Sequence, residues 1–185
     1  MVSEVRPVEG FDRVALASSG DVEIRLTGTE SVEVRAEDNL QPLLTTEVVN
    51  GTLELGSDGS FSTTRSVTYV ITVARLSGVE ISGSGDVSAS GVDAETFDVS
   101  ISGSGTVEAS GTCETLDVTI SGSGDFDGAA LSCAAGSVTV AGSGGVVVDV
   151  TDDLDVEISG SGDVEYLGDP SVRTDIPGSG DVSRG

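Results

Sequence analysis

"ISGSGDV", residues 81–87, recurs in near-copies to the end of the chain. Such a stretch is either a glycine-rich ligand loop or the corner of a structural repeat, and its spacing decides between them. Aligned on the second glycine, the copies place Gly85, Gly105, Gly124, Gly144, Gly162 and Gly180 at intervals of 20, 19, 20, 18 and 18 residues. Self-similarity at that period marks a solenoid in which each repeat is one coil. A dinucleotide loop needs G-x-G-x-x-G between a strand and a helix, and a phosphate loop needs a Lys. The chain has no Lys and no helical pattern. The SGSG unit therefore reads as a tight bend, with Gly supplying positive φ and Ser bonding nearby backbone.

The flanks of each bend carry the strand signal. Immediately before the bends stand Ile81, Ile101, Ile120, Val140, Ile158 and Ile176, and two residues earlier Val79, Val99, Val118, Val138, Val156 and Thr174. Two earlier still, Phe97, Leu116 and Leu154 hold three of the six places, while Asp98, Ser100, Asp117, Thr119, Asp155 and Glu157 fall between. This is a period of two, so these are strands with one buried face. A second short strand opens after each bend with Val87, Val107, Phe126, Val146, Val164 and Val182. Each coil is expected to run strand, glycine-rich bend, strand, looser bend. Stacked about 4.8 Å apart, such coils pair backbone to backbone and align like residues in ladders.

Composition supports this and excludes several functions. The 185 residues include 26 Gly, two Tyr, four Phe and no Trp, so the core rests on Val, Ile, Leu and Ala in thin β layers. All eight basic residues are Arg (Arg6, Arg13, Arg25, Arg35, Arg65, Arg75, Arg173, Arg184) against 32 Asp and Glu, giving a net charge of −24. Such a surface repels nucleic acid and anionic lipid, so neither is expected as a partner. It also suits high salt, as in a halophile, where carboxylates stay hydrated and their repulsion is screened. No apolar run of about 20 residues is present, so no membrane insertion is expected. No export signal is recognisable in this sequence.

Residues 8–76 keep the strand grammar and lose the corner. "LASSGDVEI" (16–24) is a degenerate copy; "SVEVRAE" (31–37), "NGTLEL" (50–55) and "VTYVITV" (67–73) alternate, and Asn50-Gly51 is a tight-turn signal. The segment Gly56–Arg65 is the expected mobile loop. One domain over 8–182 is expected, an irregular part at 8–76 and regular repeats at 77–182, with flexible tails at 1–7 and 183–185.

The order of these segments carries a resemblance. "VEGFDRVALASSGDVEI", "LQPLLTTEVVNGTLEL" and "YVITVARLSGVEISGSGDV", followed by repeated L-D-V-x-I-S-G-S-G-D-V, resemble the auto-transporter adhesin head domain known as the GIN domain, over roughly residues 8 to 182. The resemblance implies a right-handed parallel β-helix on exported or surface proteins, a domain of unknown function without established catalytic residues. The chain departs from the usual corner at Ala141, Gly145 and Pro177. The fold class expected is therefore all-β: a right-handed parallel β-solenoid of about six regular coils of 18–20 residues plus a less regular N-terminal β portion.

Few residues stand out as sites. Asp86, Asp125, Asp163 and Asp181 share one register after the corner, interrupted by Thr106 and Gly145. Stacked, they are candidates for weak Ca2+ binding with corner carbonyls. Calcium-binding β-rolls use a period about half as long, and the interruptions read better as relief of like-charge repulsion. No firm metal site and no cofactor are expected. Cys113 and Cys133 each lie eight residues before the next corner, which stacks them in adjacent coils within disulfide range. A disulfide there implies an oxidising compartment; the alternative is a pair of small buried thiols. Asn50-Gly51-Thr52 is a glycosylation sequon, relevant if the protein is exported. The column Ser100, Thr119, Thr139 resembles an ice-binding array, but Glu80, Glu157 and Asp175 break it.

These features point to a non-enzymatic, secreted or cell-surface structural module, adhesin-like, presenting a rigid acidic face to a glycan or surface protein. The alternative is self-assembly through the solenoid ends into a filament or homo-oligomer, because the chain finishes on "GDVSRG" without an amphipathic cap. A more remote reading is a polysaccharide-active enzyme, which needs two carboxylates held in a cleft.

Overall fold

The computed structural model describes residues 1–59 and 66–185. The chain forms β1 (Val2–Arg6), β2 (Arg13–Leu16), β3 (Asp21–Leu26), β4 (Ser31–Ala36), a 3-10 turn at Gln41–Leu43, β5 (Leu44–Val49), β6 (Thr52–Ser57) and β7 (Thr68–Val73). It continues as β8 (Gly78–Ile81), β9 (Val87–Ile101), β10 (Thr106–Ile120), β11 (Asp125–Val140), β12 (Val146–Ile158), β13 (Val164–Leu167), β14 (Ser171–Asp175) and β15 (Val182–Arg184). Parallel coils stack into a β-solenoid. One side runs β3, the first halves of β9 to β12, β13 and β15; the other runs β2, β8, the second halves of β9 to β12, and β14.

Alternation gives the core. Inward residues form continuous columns along the stack, such as Leu16, Ile81, Ile101, Ile120, Val140 and Ile158, each at most 1% exposed. A second column runs Val22, Val87, Val107, Phe126, Val146 and Val164. Every rung buries its apolar face only against the rungs above and below, so stability accumulates by neighbours.

The expected looser bend does not interrupt the strands. Val87–Ile101 is one strand of 15 residues, and β10 to β12 are likewise continuous around that edge. Register slips occur there instead, between Ser110 and Gly111 against β9, and between Gly128 and Ser132 against β12. Bulges of this kind bend a strand while its ladder continues on either side. They also absorb the differences in coil length, so the SGSG corners remain aligned.

At the N-terminal end the stacking order departs from chain order. β6 and β7 pair in parallel with β2 and β3, placing the first coil of the sequence between the β6/β7 coil and the β8/β9 coil. β4 and β5 then run antiparallel to β7 and β6, and β1 runs antiparallel to β4. Val32, Val34, Ala36, Leu40 and Leu44 of this reversed layer are buried and close that end of the core. The β5–β6 turn is Asn50-Gly51, with φ of 50° and 81° at the two residues, the positive pair that a two-residue hairpin favours.

The two stretches expected as tails are strands. Residues 2–6 are held by β4 and by Arg6, whose Nη2 donates to the Gln41 carbonyl and Oε1 at 2.9 and 3.0 Å, while Gln41 Nε2 donates to the Val2 and Val34 carbonyls. At the other terminus β15 extends to Arg184 against β13. Of the expected Gly56–Arg65 loop, Gly56 and Ser57 belong to β6, and residues 60–65 lie outside the described residues.

Candidate functional site

The corners stack glycine on glycine. A Cβ on Gly103 would lie 1.8 Å from the Gly83 carbonyl oxygen, and one on Gly105 1.9 Å from that of Gly85. The same contact recurs from Gly83 over Ser18 up to Gly180 over Gly162. None of these corner glycines has positive φ. The requirement is therefore not the left-handed backbone expected from sequence but the missing side chain, which lets successive corners approach until Ser104 N donates to the Gly83 carbonyl and Ser123 N to that of Gly103. At Pro177, which has no N–H, the bond made elsewhere by that position passes to Gly178 N, which donates to the Ile158 carbonyl at 3.0 Å.

The aspartate register serves this backbone. Asp86 Oδ1 accepts from Thr106 N at 2.8 Å, Asp125 Oδ1 from Gly145 N at 2.6 Å and Asp163 Oδ1 from Asp181 N at 3.0 Å. Each carboxylate satisfies an N–H of the same register one coil on. A rung that receives the bond has no need to supply a carboxylate in turn, and the column alternates accordingly until Asp181. Among the described residues no three His, Cys, Asp or Glu side chains gather as a metal-binding group.

Cys113 and Cys133 pair in adjacent rungs with Cα atoms 4.5 Å apart, and their Sγ atoms are bonded. Asn50 is exposed at the tip of the β5–β6 hairpin. Ser100, Thr119 and Thr139 do align on the outer face, in the column that continues into Glu80 on one side and Glu157 and Asp175 on the other.

Three arrangements carried no signal in the sequence. Arg13 reaches across Gly78 to Asp98, Nη1 to Oδ2 2.7 Å, spanning β2, β8 and β9; a Cβ on Gly78 would lie 2.8 Å from the guanidinium. Tyr69 is wholly buried, and burial raises its phenol above the usual range, partly offset by the Ser18 hydroxyl beside it and the charge of Arg6. The third is a pair of open clefts flanking Arg75. One, of about 580 Å3, is lined by Asp12, Asp93, Glu95 and Thr96; the other, of about 400 Å3, by Phe11, Glu30 and Gly51. The six ion pairs formed among the described residues involve Arg6, Arg13, Arg25, Arg35, Arg173 and Arg184, and Arg75 makes none. Arg75, with five N–H donors, lines both clefts together with Asp12, whose carboxylate can only accept.

A parallel stack with Ser-Gly corners and a reversed N-terminal layer defines the chain as a β-solenoid protein. Within it, residues 10–170 match the family described as "Putative auto-transporter adhesin, head GIN domain", and the chain belongs to that family. Among solved structures it is similar to a putative adhesin from Bacteroides fragilis, with 22% identity, a TM-score of 0.80, and coverage of 99% of this chain and 96% of that one. A putative adhesin from Parabacteroides distasonis shares 20% identity with a TM-score of 0.62, covering 100% and 96%. A second protein from that organism, named a putative lipid binding protein, shares 19% with a TM-score of 0.61 over the same shares. At these identities the likeness is one of fold. No curated protein matches the sequence.

Proposed function

We propose that this protein is a non-enzymatic adhesin-like module of the cell surface or secreted fraction, and that it engages an uncharged glycan at the clefts beside Arg75. The carrying observation is Arg75 itself, which makes no ion pair among the described residues and lines two open clefts in a chain of net charge −24. Sugar hydroxyls both donate and accept. Asp12, Asp93 and Glu95 supply acceptors, and the guanidinium supplies donors for ring and acetamido oxygens. An anionic glycan is disfavoured by the surrounding carboxylates. Family membership supports the surface location, and the Cys113–Cys133 disulfide fits an oxidising compartment.

The test is binding to a panel of immobilised neutral and acidic glycans, with Arg75→Ala and Arg75→Lys beside the parent protein. Retention of neutral glycans, abolished in Arg75→Ala and reduced in Arg75→Lys, is the expected result. Equal retention by Arg75→Ala removes the cleft from the reading, and release of reducing ends from a bound glycan removes the non-enzymatic part.

A further inference from the structure

The two ends of the solenoid differ. The N-terminal end carries the antiparallel layer of β4 and β5, whereas at the other end, among the described residues, β14 pairs with β12 alone and β15 with β13 alone. The core column shows the effect. Ile81, Ile101, Ile120, Val140 and Ile158 are all 0% exposed, and Ile176, next in the same column, is 38% exposed. Val172 and Val182 are likewise only partly buried, although Leu154 and Val164 beneath them are at most 1% exposed. The apolar column thus runs out at an open sheet edge.

We propose that this edge is a docking surface for a second copy of the chain, the two solenoids joining C-terminal end to C-terminal end through antiparallel pairing of β14 with the partner's β14. The sequence of β14, Ser-Val-Arg-Thr-Asp followed by Ile176, is self-complementary in that arrangement. With Thr174 on the two-fold axis, Val172 stands opposite the partner's Ile176 and Arg173 opposite the partner's Asp175. Residues directly opposite in an antiparallel pair share a face. The inward face therefore gains two Val–Ile contacts that continue the core column, and the outward face two Arg–Asp pairs. Arg173 is free to turn, since its present contact to Asp155 is 3.7 Å long with 82% of the side chain exposed. A two-fold interface repeats each contact and closes on itself. Head-to-tail growth is disfavoured, because the closed end offers the antiparallel layer and not the next parallel rung.

The experiment is sedimentation equilibrium of the full chain over a wide concentration range, at physiological ionic strength and at molar salt, where the repulsion between two copies of net charge −24 is screened. A dimer is expected. Arg173→Asp and Asp175→Arg, each of which turns both attractive pairs into repulsive ones, should each weaken it on the order of tenfold or more. The doubly exchanged variant, Arg173→Asp with Asp175→Arg, should restore it. Circular dichroism of each variant establishes that the fold is kept, and the restored double variant carries the argument if a single one proves unstable. A monomer at every concentration overturns the proposal. So does an open-ended series of oligomers, a dimer indifferent to both single exchanges, or one lost instead on Val5→Lys at the opposite end.

Discussion

Gly103 and Gly105 show how much of this fold rests on the absence of an atom. A methyl group on either would lie within 2 Å of a carbonyl oxygen in the coil below, and backbone cannot swing aside as a side chain can. Gly103→Ala is therefore expected to destabilise by about 2–3 kcal/mol or more, the range of overpacked cores. Ser104→Ala, which alters an exposed side chain on the same corner, should stay within about 0.5 kcal/mol. Urea unfolding of the two variants beside the parent checks this, and similar midpoints would refute the steric account. The positions of these glycines were legible in the sequence from their period alone. Their reason was not, because period cannot distinguish a bend that needs positive φ from one that needs close approach. Nor could the lack of an ion pair at Arg75 among the described residues be read, since it depends on which carboxylates lie out of reach.

At the level of elements, like residues are brought into contact by stacking, and the disulfide is the covalent instance. Cys113 and Cys133 are 20 residues apart in sequence and neighbours across one rung of β10 and β11. Reduction should cost about 3 kcal/mol in the chain-entropy model, and the paired variant Cys113→Ala, Cys133→Ala about as much. Thermal melts with and without dithiothreitol, alongside thiol titration of the unfolded protein, test this. Measurable free thiol before reduction, or an unchanged melt after it, would count against the bridge. Such pairings were readable because coil length was constant to within two residues. The N-terminal layers were not readable in the same way. "SVEVRAE" and "VTYVITV" alternate identically whether their partner runs parallel or antiparallel, so β4 gave no sign of its reversal against β7.

For the whole molecule the dominant quantity is charge. With 32 acidic and eight basic residues, and six of the Arg already in ion pairs, the outer faces repel themselves throughout the stack. Screening lengths fall from about 30 Å at 0.01 M salt to about 3 Å at 1 M, so molar NaCl should remove most of that repulsion. The melting midpoint should rise with NaCl, by about 2–4 °C for each kcal/mol relieved in a chain of this size. A midpoint that is flat or falls between low and molar salt would show that the ion pairs, such as Arg13 with Asp98, outweigh the repulsion. The half-exposed character of that pair, 42% and 38%, argues for the opposite balance.

The interleaving of the first coils bears on how the chain acquires its shape in time. Residues 13–26 are synthesised before both of their neighbours in the stack, residues 52–55 with 68–73 on one side and 78–81 with 87–90 on the other. The opening segment therefore waits unpaired for strands that close long loops around it, which is an entropically slow step. From β9 onward each new rung finds its template already in place. Assembly thus has a late-starting seed, which needs residues from four separate stretches, followed by extension in one direction from β9 to β15.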